Sequence, residues 1–266
     1  VSSIEIGRSP EGRGGIFDPA NPENPLADHS FVYVPYCTGD VFLGDNQQQY
    51  ADDLTVSHTG FPNATKGLET VLADYPDVAQ LVVTGASAGS IPTPAFAGLA
   101  SDELPDTEII TFGDSSAAYS DAGPINALIG NLWGTTNNIP DWPVNEGLTA
   151  EEWSLPGLYV QAGKHAPDVT FARFDYAYDE VQSDFAALAG IPADDLLGFI
   201  EQTEADIEAE GVPIASYIAP GTAHTIVGGD EFYEMEVEGV RLVDFLATLV
   251  DGDVPDDVRC VDCARP

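Results

Sequence analysis

Asp77-Val78-Ala79-Gln80-Leu81-Val82-Val83-Thr84 runs without a break into Gly85-Ala86-Ser87-Ala88-Gly89. The first eight residues carry the clearest buried-strand signal in the chain, a short apolar run rich in β-branched side chains. The next five fit G-x-S-x-G, and residues 88–100 (AGSIPTPAFAGLA) read as a helix disturbed by Pro92 and Pro94. This pattern has chemical meaning only between a strand and a helix, where a sharp turn holds the serine at strained backbone angles and only small neighbours fit. Ser87 is thereby a candidate nucleophile. The Ala88 amide is a candidate donor to a developing oxyanion, near the positive end of the following helix. The plain alternative is a tight turn with a solvent-facing serine.

Outward from this stretch, the chain alternates. Residues 30–36 (SFVYVPY) read as a short buried strand, 63–74 as a helix capped by Asn63, and 107–112 (TEIITF) as another strand. Residues 119–157 break the pattern with Trp133, Trp142 and Trp153 among Gly, Pro and Asn, and read as an excursion over the sheet, a cap. The sheet resumes at 157–163 (GLYVQAG) or 169–176 (VTFARFDY). Helices are expected at about 181–189 and 193–210, a last strand at 212–219, and a closing amphipathic helix at 236–250. Residues 1–29 are loop-like, with a short strand at 1–6 (VSSIEI). Strands alternating with helices predict a mostly parallel sheet with flanking helices. The expected fold is therefore an α/β-hydrolase-like single domain over residues 1–266.

A serine nucleophile needs a base, and in this fold class the order is Ser, then Asp or Glu, then His. Of the four histidines, His29 and His58 precede Ser87, and His165 leaves few strands before it. His224, in the loop after the last expected strand, is the candidate base. Acids between Ser87 and His224 are many. Asp179 lies just past VTFARFDY, at the sheet edge where function collects; Asp175, Asp168 and Asp184 are its rivals.

At these residues the sequence resembles the pectin acetylesterase/Notum family of α/β-hydrolases. Val34-Pro35-Tyr36-Cys37-Thr38-Gly39-Asp40, followed by Gly44-Asp45, resembles one family segment, and Gly85–Gly89 the nucleophile segment. Tyr178-Asp179-Glu180-Val181-Gln182 resembles the aspartate segment, in which Asp precedes Gln by three. Ala219-Pro220-Gly221-Thr222-Ala223-His224-Thr225 resembles the histidine segment. The resemblance spans roughly residues 30–227, raises Asp179 above its rivals and implies a serine esterase on acetylated polysaccharide or small acyl esters. The family's glycine-rich oxyanion segment is not matched, and strands ahead of residue 30 are fewer than a full hydrolase sheet needs. Either a preceding part lies outside this chain or the oxyanion hole is built differently.

Eight Lys and Arg stand against 45 Asp and Glu, a net charge of −37. Such a surface repels phosphate backbones, so nucleic acid is excluded as a partner. It tolerates high ionic strength, because salt screens the repulsion, and points to a saline habitat. No stretch approaches the roughly 20 apolar residues of a membrane span. Val1 rather than Met, without a basic or apolar leader, points to a processed or truncated N-terminus and, with the family resemblance, to secretion. Cys260 and Cys263 are expected to form a local or tail-anchoring disulfide, leaving Cys37 free or paired outside the chain. The expected chemistry needs no metal or cofactor. Two rivals to the short-acyl esterase remain. One is a lipase- or polyester-type hydrolase, with Trp133, Trp142 and Trp153 forming an apolar pocket; the other is a non-catalytic binding module on the same fold.

Overall fold

The computed structural model describes residues 14–119, 121–188, 190, 195–261 and 263. The strand expected at 1–6 lies outside these residues, as do Ser120 in the cap and Ala189, Ala193 and Asp194 at the edges of two expected helices. In chain order the elements are β1 (Asn46–Ala51), β2 (Leu54–His58), α1 (Gly60–Asp74), β3 (Gln80–Ala86), α2 (Thr93–Glu103), β4 (Glu108–Asp114) and α3 (Gly123–Trp133). They continue as α4 (Gly157–His165), β5 (Thr170–Tyr176), α5 (Glu180–Leu188), α6 (Leu196–Ala209), β6 (Ala215–Ala219) and α7 (Glu231–Glu234). The chain closes with β7 (Glu236–Val237), β8 (Val240–Arg241), α8 (Leu242–Val250) and β9 (Val258–Arg259).

The molecule is α/β. Its central sheet is parallel throughout, in the order β3-β4-β5-β6-β9, and helices flank it. β4, β5 and β6 are buried along nearly their whole length, as the interior strands of a parallel sheet must be. Phe112, Phe174, Tyr217 and Phe245 fill one face of the core with α8. On another side Trp142, Tyr159, Phe171 and Ile207 pack α2, α4 and α6 together. Among the described residues no helix is long and apolar enough to cross a membrane.

Four expectations fail for physical reasons. Residues 157–163 form helix α4: Leu158, Tyr159 and Ala162 are buried and packed at helical spacing, and Pro156 starts the turn. The sheet resumes only at β5. Residues 30–36 form no strand and pair with no described strand, and Phe31 and Tyr33 are about 40 % exposed. The closing helix begins at Leu242, because Glu238-Gly239 turns the chain between β7 and β8 with both residues at positive φ. Finally, β6 is not the last strand. β9 pairs parallel to it through Tyr217 and Ile218, and the Cys260–Cys263 disulfide closes the tail just beyond; Cys37 is free and exposed.

β3 is the other edge of the sheet. It pairs with β4 alone among the described residues. The unpaired segment 28–36 runs opposite, tied to β3 at its start by His29 Nε2 and Gln80 Oε1, 3.1 Å apart. A long open groove of about 1440 Å³ is lined by every residue of β3 together with Phe31, Val32, Tyr33 and Tyr36 of this segment and residues of α1, α2 and α3.

Candidate active site

Because β3 to β6 are parallel, their C-terminal ends gather at one edge of the sheet. Ser87 follows β3, Asp179 follows β5 by three residues and His224 lies in the loop after β6. Parallel topology thus puts three residues that are far apart in sequence at the same edge of the sheet; of these, Asp179 and His224 are in hydrogen-bond contact, and Ser87 Oγ makes no hydrogen bond to His224 Nε2.

Ser87 sits at φ +55, in the left-handed region, at the start of a single 3-10 turn (Ser87–Gly89). Ser90 stabilises that turn by donating from its amide (2.9 Å) and hydroxyl (2.8 Å) to the Ser87 carbonyl. Gly85 is required on steric grounds: a Cβ there would lie 2.1 Å from the Gly89 carbonyl oxygen. Backbone strain at a serine between strand and helix is the local geometry expected of a nucleophile. Ser87 and Ala88 open onto the groove described above.

Asp179 is completely buried. Its Oδ1 accepts the amides of Val181 (2.9 Å) and Gln182 (3.0 Å) at the start of α5, the arrangement of a helix cap. Its Oδ2 accepts Gln182 Nε2 (3.1 Å) and faces His224 Nδ1 at 2.7 Å. The Asp-x-x-Gln spacing thus has a physical account: the glutamine holds the carboxylate that orients the imidazole. An ionised carboxylate only accepts, so Nδ1 carries the proton and Nε2 keeps its lone pair. That Nε2 is buried and has no hydrogen-bond partner. Buried polar atoms are rarely left so.

The other candidates are engaged elsewhere. Asp175 is buried inside β5, accepting Ala117 N and Gln182 Nε2 at 3.1 and 2.9 Å, and burial pushes its pKa up to about 6. Asp168 and Asp184 are exposed. His58 bridges the Thr38 carbonyl and the Tyr50 hydroxyl. His165 faces Asp102 at 2.7 Å and stacks on Trp142, whose indole donates to the same carboxylate. This last cluster corrects the reading of the three tryptophans as one pocket. Trp142 and Trp153 are core residues, 4 % and 5 % exposed, and Gly98 exists because a Cβ there would lie 2.5 Å from the Trp142 ring. Trp133 alone of the three lines the groove, with Ile125, Leu128, Ile129 and Leu132 of α3.

Two features escaped the sequence reading. In the loop after Cys37, Val41 and Phe42 both adopt positive φ, +50 and +58, and line the same groove as Ser87. A β-branched residue in that conformation is strained. Buried Asp40 holds it there, accepting Thr38 Oγ, Phe42 N (3.2 Å) and Gly60 N (2.7 Å). Tyr119, also on the wall, has its hydroxyl pKa raised by burial and by the nearby Tyr36, Asp175 and Asp179. Both lie in stretches without periodicity, and only the acid immediately before the strained pair hints at the first.

Among the described residues one acidic group, Glu204, Glu208 and Asp257, brings its oxygens within 4.8 Å of one another. Glu204 already pairs with Arg173 (3.0 Å) and with Arg259, so guanidinium groups stand where a cation would. No protein-family model matches the chain, and no curated protein is found to be similar to it.

Proposed function

We propose that the protein is a serine carboxylic-ester hydrolase of the α/β-hydrolase type, acting on short acyl or acetyl esters of small molecules or polysaccharides. The observation that carries the reading is His224: Nδ1 bound to a buried carboxylate, Nε2 buried without a partner, at the sheet edge where a strained Ser87 also sits. A structural histidine does not need that arrangement.

In the proposed reaction Ser87 Oγ attacks the ester carbonyl while His224 Nε2 takes its proton. Asp179 keeps the imidazole in the productive tautomer and stabilises the imidazolium. The Ala88 amide donates to the tetrahedral oxyanion. His224 returns the proton to the departing alkoxide, the alcohol leaves, and water releases the acyl group by the reverse sequence of proton transfers. Salt-screened encounter with substrate fits a chain of net charge −37, and with it a secreted enzyme of a saline environment.

A second reading has one observation in its favour. The groove beside Ser87 is walled by Val41, Phe42, Leu128, Ile129, Leu132 and Trp133, which suits a long acyl or aromatic acid in a lipase- or polyester-type hydrolase. Hydrolysis of p-nitrophenyl esters from acetyl to dodecanoyl in molar salt separates the two. Activity falling beyond butanoyl supports the first, and activity rising to dodecanoyl the second. Loss of turnover in Ser87→Ala is expected for both. A wild type inert on every chain length sinks both, leaving a binding module.

A further inference from the structure

We propose that Asp114, at the C-terminal end of β4, is a positioning residue for the base, fastening the loop that carries His224 to the centre of the sheet. The proposal rests on the esterase reading for its catalytic consequence, but its geometry stands independently. Asp114 is completely buried. Its Oδ2 accepts two consecutive amides just past His224, those of Ile226 (2.8 Å) and Val227 (3.0 Å). Its Oδ1 accepts the Ser115 hydroxyl (2.9 Å), and that oxygen accepts the amide of Thr225 (3.1 Å). Three successive amides after the histidine are thus tied, directly or through one hydroxyl, to one carboxylate.

The clamp has something to resist. Thr225 and Ser115 sit at φ +63 and +62. Neither is glycine, and such conformations persist only where surrounding bonds over-determine them. The residue bonded to His224 is therefore held in a conformation it would leave if released, and leaving would swing the imidazole off Asp179. The position of Asp114 is equally specific. In the sheet it is paired with Ala86, the residue before the nucleophile, on one side and with Phe174 of β5 on the other. It fixes the His224 loop relative to the two strands that present Ser87 and Asp179. The groups facing it are His224, Asp175, Tyr176 and Ser115. Burial raises its pKa to about 6, against the donors of the clamp and the nearby His224, which lower it.

The test compares Asp114→Asn with Glu204→Gln, a second completely buried carboxylate, which holds Arg173 and Ser216 instead of the base loop. An amide keeps an acceptor for the loop but removes the charge and loosens the Ser115 link. Asp114→Asn is expected to lower kcat by up to about 100-fold, the cost of a misplaced catalytic group, with KM within about twofold. The acid limb of kcat/KM should move to lower pH, because a negative charge near the imidazolium is gone. Glu204→Gln is expected to lower the melting temperature without moving the acid limb. Ser115→Ala, which releases the Thr225 amide and removes the donor to Asp114 Oδ1 but leaves the Ile226 and Val227 amides bound, should give a smaller loss of kcat in the same direction and keeps the test open if Asp114→Asn fails to fold. NMR titration of the His224 ring reads the clamp without turnover, and its midpoint should fall in Asp114→Asn. An inert wild type with that shift present overturns the esterase reading alone. An unmoved midpoint, or a soluble Asp114→Asn with wild-type kcat and acid limb, overturns the clamp.

Discussion

At the scale of single residues, the site depends on a few atoms that have no room to move. Asp179→Asn preserves the shape of the carboxyl group but offers the imidazole the wrong partner, so kcat should drop by up to about 10⁴-fold with little change in melting temperature. Ester turnover and a thermal melt on one preparation check both halves, and wild-type turnover would dismiss Asp179 as the orienting acid. Gly85→Ala should do the opposite. Its new Cβ would meet the Gly89 carbonyl at 2.1 Å, so the turn itself must shift; low soluble yield and a lower melting temperature should accompany lost activity. The residues that sequence could identify were those tied to a spacing rule: a serine between small residues after a strand, an aspartate three before a glutamine, a histidine past the last long apolar run. Asp114 and Asp40 obey no such rule. Their partners are backbone amides 112 and 20 residues away, and main-chain amides leave no mark on composition.

Elements were legible where periodicity and length agreed, and not elsewhere. β3, β4 and β5 and the helices α1, α2, α5 and α6 are long and apolar enough to declare themselves, whereas α3 lies inside the stretch read as a cap and α4 has the composition of a strand. Residues 30–36 have the composition of a strand, but a strand is a pairing, and no described neighbour supplies the ladder. β9 is only two residues long, far below any sequence signal, yet it closes one edge of the sheet. The 38–44 loop is best tested as an element. Asp40→Ala leaves the Gly60 and Phe42 amides without acceptors, and each orphaned buried group costs about 1–3 kcal/mol. Denaturant unfolding should register a loss of about 2–6 kcal/mol by the same reasoning, and reduced turnover should accompany it, since Val41 and Phe42 line the same groove as Ser87. A neutral effect would mean that the strained loop needs no such anchor.

For the whole molecule, charge decides the response to conditions. With −37 distributed over 266 residues, self-repulsion opposes compactness. Screening should therefore raise the melting temperature by several degrees between about 0.05 and 2 M NaCl, well over the range in which the Debye length shrinks from near 14 to about 2 Å. A flat or falling curve would contradict that account. Protons act in the same direction. Asp114 and Asp175 are pushed up to about 6 by burial, above the ordinary aspartate value near 4. The folded chain therefore holds more protons than the unfolded chain between roughly pH 4 and 6, and stability falls as pH rises through that window, then levels. Denaturant midpoints at pH 5 and pH 7 in fixed salt should show the higher value at pH 5, and Asp175→Asn should narrow the difference.

The open edge of β3 sets a limit on how far salt can help. Its outer backbone groups, unpaired among the described residues, border a groove also lined by Phe31 and Tyr33, a surface on which another strand can add. At low ionic strength each molecule's charge keeps its neighbours at a distance, so this surface meets only water. Concentrated electrolyte removes that barrier while strengthening apolar attraction. Static light scattering should show the second virial coefficient falling from positive towards zero as salt rises, even as the melting temperature climbs. The conditions that best preserve one folded molecule are then not those that best keep many apart, and the useful ionic strength for this protein is an intermediate one.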